Sequence, residues 1–120
     1  MTPAQQAVSS VLTRLEVLLD SEIDALASRR PYDYEAASRQ KSRALLELVR
    51  TQITDVDVAA DHSLAMRLRQ VREKLVHDRD LLALNLAASR EVSEILSQVM
   101  RDVDWDGTYD SRIADPVSNR

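Results

Sequence analysis

The chain contains a single glycine, Gly107, and its position limits the fold more than any other feature. Between Pro31 and Gly107 there is neither proline nor glycine, so no residue there forces the backbone out of a helix. A fold of many short strands needs turns, and one glycine and three prolines in 120 residues cannot supply them. The sequence therefore predicts an all-α protein.

The apolar residues are of the kind that fills contacts between helices. The chain has no Phe and no Cys, one Trp and three Tyr, so a core must be built from Leu, Val, Ile, Ala and Met. Without cysteine there are no disulfides, thiolate metal sites or cysteine nucleophiles. A chain of this length fits one domain. We expect a helical bundle domain over 1–103 and a flexible acidic tail over 104–120.

Charge and hydropathy indicate a cytoplasmic protein. The net charge is −4 with 30% charged residues, and no apolar run approaches the roughly 20 residues of a membrane span. The N-terminal sequence lacks the basic start and apolar block of a signal peptide. We therefore expect no stable membrane insertion.

Two helices are predicted to form an antiparallel hairpin. The first begins with a capping box, in which Thr2 is the N-cap and Gln5 reaches back, and it runs to about Ser28. The second follows the N-cap Asp33 and extends over about Tyr34 to Thr54. Its cations, including Lys41, are expected to lie outside the apolar stripe. The short connection between the two helices favours the antiparallel arrangement.

A long third helix is predicted from about Asp61 to Val103, after a break over 54–58 that is rich in β-branched and capping residues. Its seam residues alternate by four and three, which is a coiled-coil register: Leu64, Leu68, Val71, Leu75, Asp78, Leu82, Asn85, Ser89, Val92, Leu96, Val99 and Val103. The middle of this seam is polar at Asp78, Asn85 and Ser89, as if the partner surface changes there.

The third helix carries more apolar surface than one neighbouring helix can bury. At 100° per residue, Leu81, Leu82, Leu84 and Leu86 cover about half of its circumference. Its predicted length is roughly 60 Å, against roughly 30 to 40 Å for each of the first two helices. Three outcomes remain open: a kink near Asn85, pairing with a second copy of the chain, or binding of a client protein.

Residues that could carry chemistry form no recognisable site. His77 has Glu73 and Asp80 one turn away on either side, which is a possible divalent-metal face, but solvated pairing within the helix explains it equally. No Ser-His-Asp order or glycine-rich phosphate loop is present. We expect no enzyme activity, no cofactor and no metal.

A basic segment of the third helix raises nucleic-acid binding as a hypothesis. It contains Arg67, Arg69, Arg72, Lys74 and Arg79. The whole chain is acidic, however, with a pI near 5.1, and no aromatic residue lies among these cations to stack on bases. We expect no nucleic-acid partner.

The tail combines acidic residues with two aromatic ones, Trp105 and Tyr109. Two interpretations remain open. The aromatic rings could fold back as a lid on the helix end, or they could anchor a short linear motif that binds another protein.

Taken together, several motifs resemble the FlgN family of flagellar export chaperones. The opening hairpin has Leu15-x-x-Leu18-Leu19-x-x-Glu22-x-x-Ala25-Leu26, then Asp33, then Lys41 followed by Leu45-Leu46-x-Leu48. Asn85 is similar to an Asn near the middle of the family's long helix, and Thr108-Tyr109-Asp110 is similar to its tail element. The chain departs from the family at Ala44, where Leu is usual, and has no Gly closely after Tyr109.

The resemblance implies a cytoplasmic chaperone that binds hook-associated (hook–filament junction) subunits before export. The client would pack on the third helix, at Leu81, Leu82, Leu84, Leu86, Val92 and Leu96. The family's tail tyrosine docks on the cytoplasmic domain of the export gate, which implies that role for Tyr109, and Trp105 is assigned to the same contact from its position alone. The alternative is a helical adaptor that forms a homodimer through the third helix.

Overall fold

The computed structural model describes residues 1–105, and they form four helices: α1 (Pro3–Ser28), α2 (Tyr34–Arg50), α3 (Asp55–Ala59) and α4 (His62–Trp105). The predicted all-α class, with a helical hairpin and one long later helix, is confirmed. The chain divides into two compact units, Met1–Ala83 and a second that begins at Leu84. The 44 residues of α4 therefore contribute to both units.

The predicted capping box at the start of α1 is confirmed. The backbone N–H of Gln5 donates to Thr2 Oγ1 at 3.1 Å, and the Thr2 N–H donates to Gln5 Oε1 at 2.8 Å. The buried Gln5 side chain also donates from Nε2 to the Asp57 carbonyl at 2.8 Å. One side chain therefore caps α1 and holds α3 against it.

A left-handed residue ends α1. Arg29 has φ 57° and ψ 38°, and the Arg30 N–H donates to the Ala25 carbonyl at 2.9 Å. This closure is the one that glycine usually provides, and here an arginine adopts it.

α1 and α2 pack antiparallel, as predicted. Arg14 of α1 makes a two-pronged ion pair with Glu47 of α2, with both N···O distances 2.8 Å, and further along the hairpin Lys41 contacts Glu22. Hydrogen bonding to Arg14 lowers the pKa of the exposed Glu47 carboxyl. Two buried alanines, Ala37 and Ala44, face inward from α2, and their small side chains let the helices approach closely.

The predicted break over 54–58 contains a short helix, and α2 is shorter than expected. α2 ends at Arg50, and Gln52 follows with a positive φ of 53°. Thr54 then caps a new short helix by accepting from the Asp57 N–H at 3.1 Å, while Asp57 accepts in return from the Thr54 backbone. The segment was predicted as a break before the long helix, but this local capping box starts α3 within it.

In the first unit, α4 runs parallel to α1. Arg67 pairs with Glu16 at 2.9 Å, and seven residues later Lys74 pairs with Asp20 at 2.8 Å. The residues of α1, α2 and α4 that meet between these helices form one buried cluster: Val8, Val11, Leu12, Leu15, Leu19, Ala44, Leu64 and Val71. The first unit is therefore a small three-helix bundle with an aliphatic core.

Candidate functional site

The predicted coiled-coil register of α4 is confirmed in the first unit. Leu64, Val71 and Asp78 are buried, and the seam positions between them, Leu68 and Leu75, are half-buried. Four-and-three spacing therefore identified the side of α4 that packs on the hairpin.

The second unit shows the opposite pattern of exposure. Every described side chain from residue 84 to residue 104 is exposed. On a helical projection, one side of this segment is apolar over about 160°. We call this the α4 apolar face; its residues are Leu84, Ala88, Val92, Ile95, Leu96, Val99 and Met100. Its large side chains are 51% to 67% exposed, and an apolar side this wide is typical of a helix that packs against something.

The polar residues of the second unit lie mainly on the other side of the helix. Arg90, Glu94 and Arg101 are exposed there. Asp102, which accepts a hydrogen bond from Gln98 at 2.9 Å, lies in line with Leu84 at the edge of the α4 apolar face. Between residues 84 and 100, only Asn85 and Ser89 are polar within the angular range of the α4 apolar face. The segment is therefore amphipathic.

The six residues predicted to bind a client do not all lie on one exposed surface. Leu81 and Leu82 belong to the first unit and are half-buried. Leu84, Val92 and Leu96 lie on the α4 apolar face. Leu86 is also exposed, but helical geometry places it about 130° from the centre of that face.

Three further large side chains of the α4 apolar face, Ile95, Val99 and Met100, were not among the residues predicted to bind a client, and each is at least half exposed. Val99 was already in the predicted seam, and Ile95 and Met100 flank it at helical spacing. The same periodicity could therefore have identified all three.

The two aromatic residues of the predicted docking motif lie at the limit of the described chain. Trp105 is the last residue of α4. Of the tail predicted over 104–120, residues 104 and 105 belong to α4. Tyr109 lies outside the described residues, as does the rest of that tail, so the docking motif stays a prediction.

A buried ionic cluster joins the three main helices of the first unit. Lys41 Nζ of α2 donates to Glu22 Oε1 of α1 at 2.5 Å and to Asp78 Oδ2 of α4 at 2.8 Å. Glu22 is 1% exposed and Asp78 is 2% exposed, and the Lys41 side chain is 14% exposed. We call these three residues the ionic cluster.

Burial and hydrogen bonding shift the pKa values of Glu22 and Lys41. Burial, and then the neighbouring Asp78, raise the pKa of the Glu22 carboxyl, although Lys41 acts in the opposite direction. Burial alone would lower the pKa of the Lys41 ammonium, but hydrogen bonds to Asp78 and Glu22 outweigh it, and the pKa rises. Lys41 is therefore a cation at physiological pH.

The expectation that Lys41 lies on the solvated side of α2 is wrong. Its four-carbon side chain extends into the bundle, where the ammonium contacts two buried carboxyl groups. Two features of the sequence indicated that carboxyl groups would be buried here. Glu22 lies next to the apolar stripe of α1, and Asp78 occupies a seam position of α4. The cation that contacts both carboxyl groups comes from α2.

Several cations of the basic segment of α4 take part in ion pairs within the molecule. Arg67 donates to Ser9 Oγ at 2.7 Å, to Thr13 Oγ1 at 2.9 Å and to Glu16. Lys74 pairs with Asp20, and Arg79 with its neighbour Asp80. These contacts connect α4 to α1 or neutralise charge along α4. They assign these cations a structural role.

Within residues 1–105, no group of three or more His, Asp or Glu side chains is placed to hold a metal ion. The same stretch contains no helix that is both long enough and apolar enough to span a membrane. Comparison with protein-family models, curated proteins and solved structures finds no match to this chain.

Proposed function

We propose that the protein is a flagellar export chaperone, and that the α4 apolar face binds an amphipathic helix of a hook-associated subunit. The observation that carries the proposal is the exposure of Leu84, Val92, Ile95, Leu96, Val99 and Met100 on one side of α4. Apolar surfaces of this kind, bordered by polar residues, are typical of interaction sites. The resemblance of the hairpin to FlgN proteins supplies the class of client.

The size of the α4 apolar face predicts a moderate affinity. Each of its six large side chains is about half exposed, so covering it contributes about 1 kcal/mol of the roughly 1.5–3 kcal/mol for full burial. A matching face on the client would contribute about as much, giving a gross free energy near 12 kcal/mol. Association costs at least about 4 kcal/mol. The dissociation constant is then about 1 μM at best, which suits a chaperone that must release its client.

The tail completes the proposal. Tyr109, with Trp105 four residues before it, would bind the cytoplasmic domain of the export gate while α4 holds the client. The acidic residues around both aromatics keep such a segment in solution. Client binding and gate binding would then depend on separate parts of the chain.

Capture of purified hook-associated subunits by the intact chain tests the client assignment. Leu96→Glu places a charge on the α4 apolar face, and we expect it to weaken capture at least about ten-fold because the carboxylate must lose water on binding. Leu86→Glu is the matched control, since Leu86 is 51% exposed and Leu96 is 56% exposed, yet Leu86 lies off the face. No capture by the intact chain, or equal loss in both variants, would overturn the assignment.

A separate experiment tests whether Tyr109 of the tail binds the export gate. We expect Tyr109→Ala to keep client capture and to lose binding to the purified cytoplasmic domain of the export gate. Tyr109→Phe should behave like the unchanged chain if the ring supplies most of the contact. Unchanged gate binding by Tyr109→Ala would remove the docking role.

The second candidate is a helical adaptor that forms a homodimer through the α4 apolar face, which the same exposed residues favour. Two copies would cover each other's apolar side chains as in a coiled coil. Sedimentation over a wide range of concentration separates the two functions. A dimer that Leu96→Glu dissociates and that captures no hook-associated subunit would favour the adaptor.

A further inference from the structure

The ionic cluster contains more negative charge than its cation can neutralise. Glu22 and Asp78 carry two carboxyl groups, and Lys41 is the one cation that contacts them among residues 1–105. With both carboxyls ionised, the cluster would hold a net charge of −1 in a place where the two acidic residues are 1% and 2% exposed. The effective penalty for a buried uncompensated charge is several kcal/mol.

One oxygen of each carboxyl group in the ionic cluster has no hydrogen-bond partner among the described residues. Lys41 contacts Glu22 Oε1 and Asp78 Oδ2. The other two oxygens, Glu22 Oε2 and Asp78 Oδ1, are buried and have no hydrogen-bond partner among the described residues. An ionised carboxylate can only accept, so two ionised groups cannot satisfy each other, whereas one protonated group can donate to the other.

We propose that Glu22 is a proton-binding site: at neutral pH its Oε2 carries a proton and donates it to Asp78 Oδ1. The protonated Glu22, the Asp78 carboxylate and the Lys41 ammonium then sum to zero charge. Glutamate is the natural holder of the proton, because its carboxyl group is ordinarily the weaker acid of the two. The burial that raises the pKa of Glu22 acts in the same direction.

Other charged groups nearby are already paired or exposed. On α1, Asp20 pairs with Lys74 of α4, and Asp24 pairs with Arg30. On α2, the charge of Arg43 acts on Glu47.

On α4, His77 is exposed, and Arg79 pairs with Asp80. The acidic residues of α3 lie against the opposite end of α1, where Gln5 contacts Asp57. The balance of charge at Glu22 is thus set by Lys41 and Asp78.

Proton release would have a defined structural consequence. Ionised Glu22 and Asp78 would face each other with one ammonium between them, and like charges at this range repel. Asp78 belongs to α4 and Glu22 to the hairpin, so the repulsion acts on the contact between them. The ionic cluster therefore makes the attachment of α4 to the hairpin sensitive to alkaline pH.

Infrared spectroscopy of the folded chain in D₂O tests the proposal. Near neutral pH, where exposed carboxyl groups are ionised, we expect a C=O stretch of one buried, protonated carboxyl group. Glu22→Gln should abolish this band. Glu16→Gln, which changes a glutamate of the same helix that pairs with Arg67, should leave it in place.

Absence of the band in the unchanged chain, or its persistence in folded Glu22→Gln, would overturn the proposal. A second measurement uses the unchanged chain, so its result does not depend on whether a variant folds. In ¹³C NMR of the unchanged chain, the side-chain carboxyl carbon of Glu22 should titrate above the ordinary range of a glutamate side chain, which is about 4.3. Titration within that ordinary range would also overturn it.

Discussion

Lys41 Nζ of α2 lies 2.8 Å from Asp78 Oδ2 of α4, and this contact crosses from the hairpin to the long helix. Asp78 is also the last fully buried residue of the α4 seam. The seam continues in the sequence as Asn85, Ser89 and Val92, but those side chains are exposed. The last fully buried seam residue of the first unit therefore makes an ionic contact, and the seam residues from Asn85 onward are exposed.

Removing the cation of the ionic cluster should destabilise the first unit strongly. Lys41→Met leaves buried carboxyl groups without their counter-charge, and we expect a loss of about 3 kcal/mol or more in the free energy of unfolding. Lys74→Met is the matched control, because Lys74 and its partner Asp20 are 36% and 60% exposed, and exposed pairs contribute about 0–1 kcal/mol. Urea unfolding followed by circular dichroism measures both. Equal losses would contradict the account.

The raised pKa of Glu22 predicts a particular dependence of stability on pH. The folded chain holds a proton that the unfolded chain loses above about pH 4.5, so this contribution to stability is complete below that pH. It decreases as pH rises through the folded-state pKa of Glu22. The denaturant midpoint of the unchanged chain should therefore fall more with rising pH than that of Glu22→Gln, so that the difference between the two changes with pH. A difference that stays constant with pH would contradict the assignment.

The left-handed end of α1 predicts a stabilising substitution. A non-glycine residue in this conformation costs roughly 1–2 kcal/mol, and glycine gives part of that back in unfolded-state entropy. We expect Arg29→Gly to raise the free energy of unfolding by about 0.5–1 kcal/mol. Ala27→Gly, two residues earlier and inside the helix, should lower it by about 1 kcal/mol. If both substitutions destabilise, the backbone at Arg29 is not left-handed in solution.

The attachment of α4 to α1 should depend on Arg67. Its guanidinium contacts Ser9, Thr13 and Glu16, and the Arg67 and Glu16 side chains are each 26% exposed. Arg67→Ala should lower the free energy of unfolding by about 1–2 kcal/mol. Arg69→Ala removes an exposed arginine of the same helix and should change it by less than about 0.5 kcal/mol. Denaturant unfolding of the two variants provides the comparison.

Local signals in the sequence predicted the helices well. Thr2 and Gln5 identified the start of α1, and four-and-three spacing identified the buried side of α4 from Leu64 to Leu82. Both signals work because the residues concerned are close along one helix. The short α3 was missed since five residues contain too little periodicity, although Thr54 and Asp57 form a capping box that the sequence displays.

The ionic cluster could not be predicted in the same way. Glu22, Lys41 and Asp78 meet only when three helices take a particular register, and no spacing along the chain encodes that register. The α4 apolar face was predicted in outline, as the end of a seam whose partner changes. Helical geometry then separates Leu86 from Leu96, which the sequence-based prediction had placed in one set.

Hydrogen–deuterium exchange of the intact chain, with and without a purified hook-associated subunit, tests the central claim most directly. Backbone amides of residues 84–100 lie beneath exposed side chains and should exchange quickly in the free chain. We predict that the subunit slows exchange in this stretch, and that the α1–α2 hairpin changes little. Protection confined to the hairpin, or unchanged exchange over residues 84–100 in a complex that forms, would contradict the assignment of the α4 apolar face as the client-binding surface.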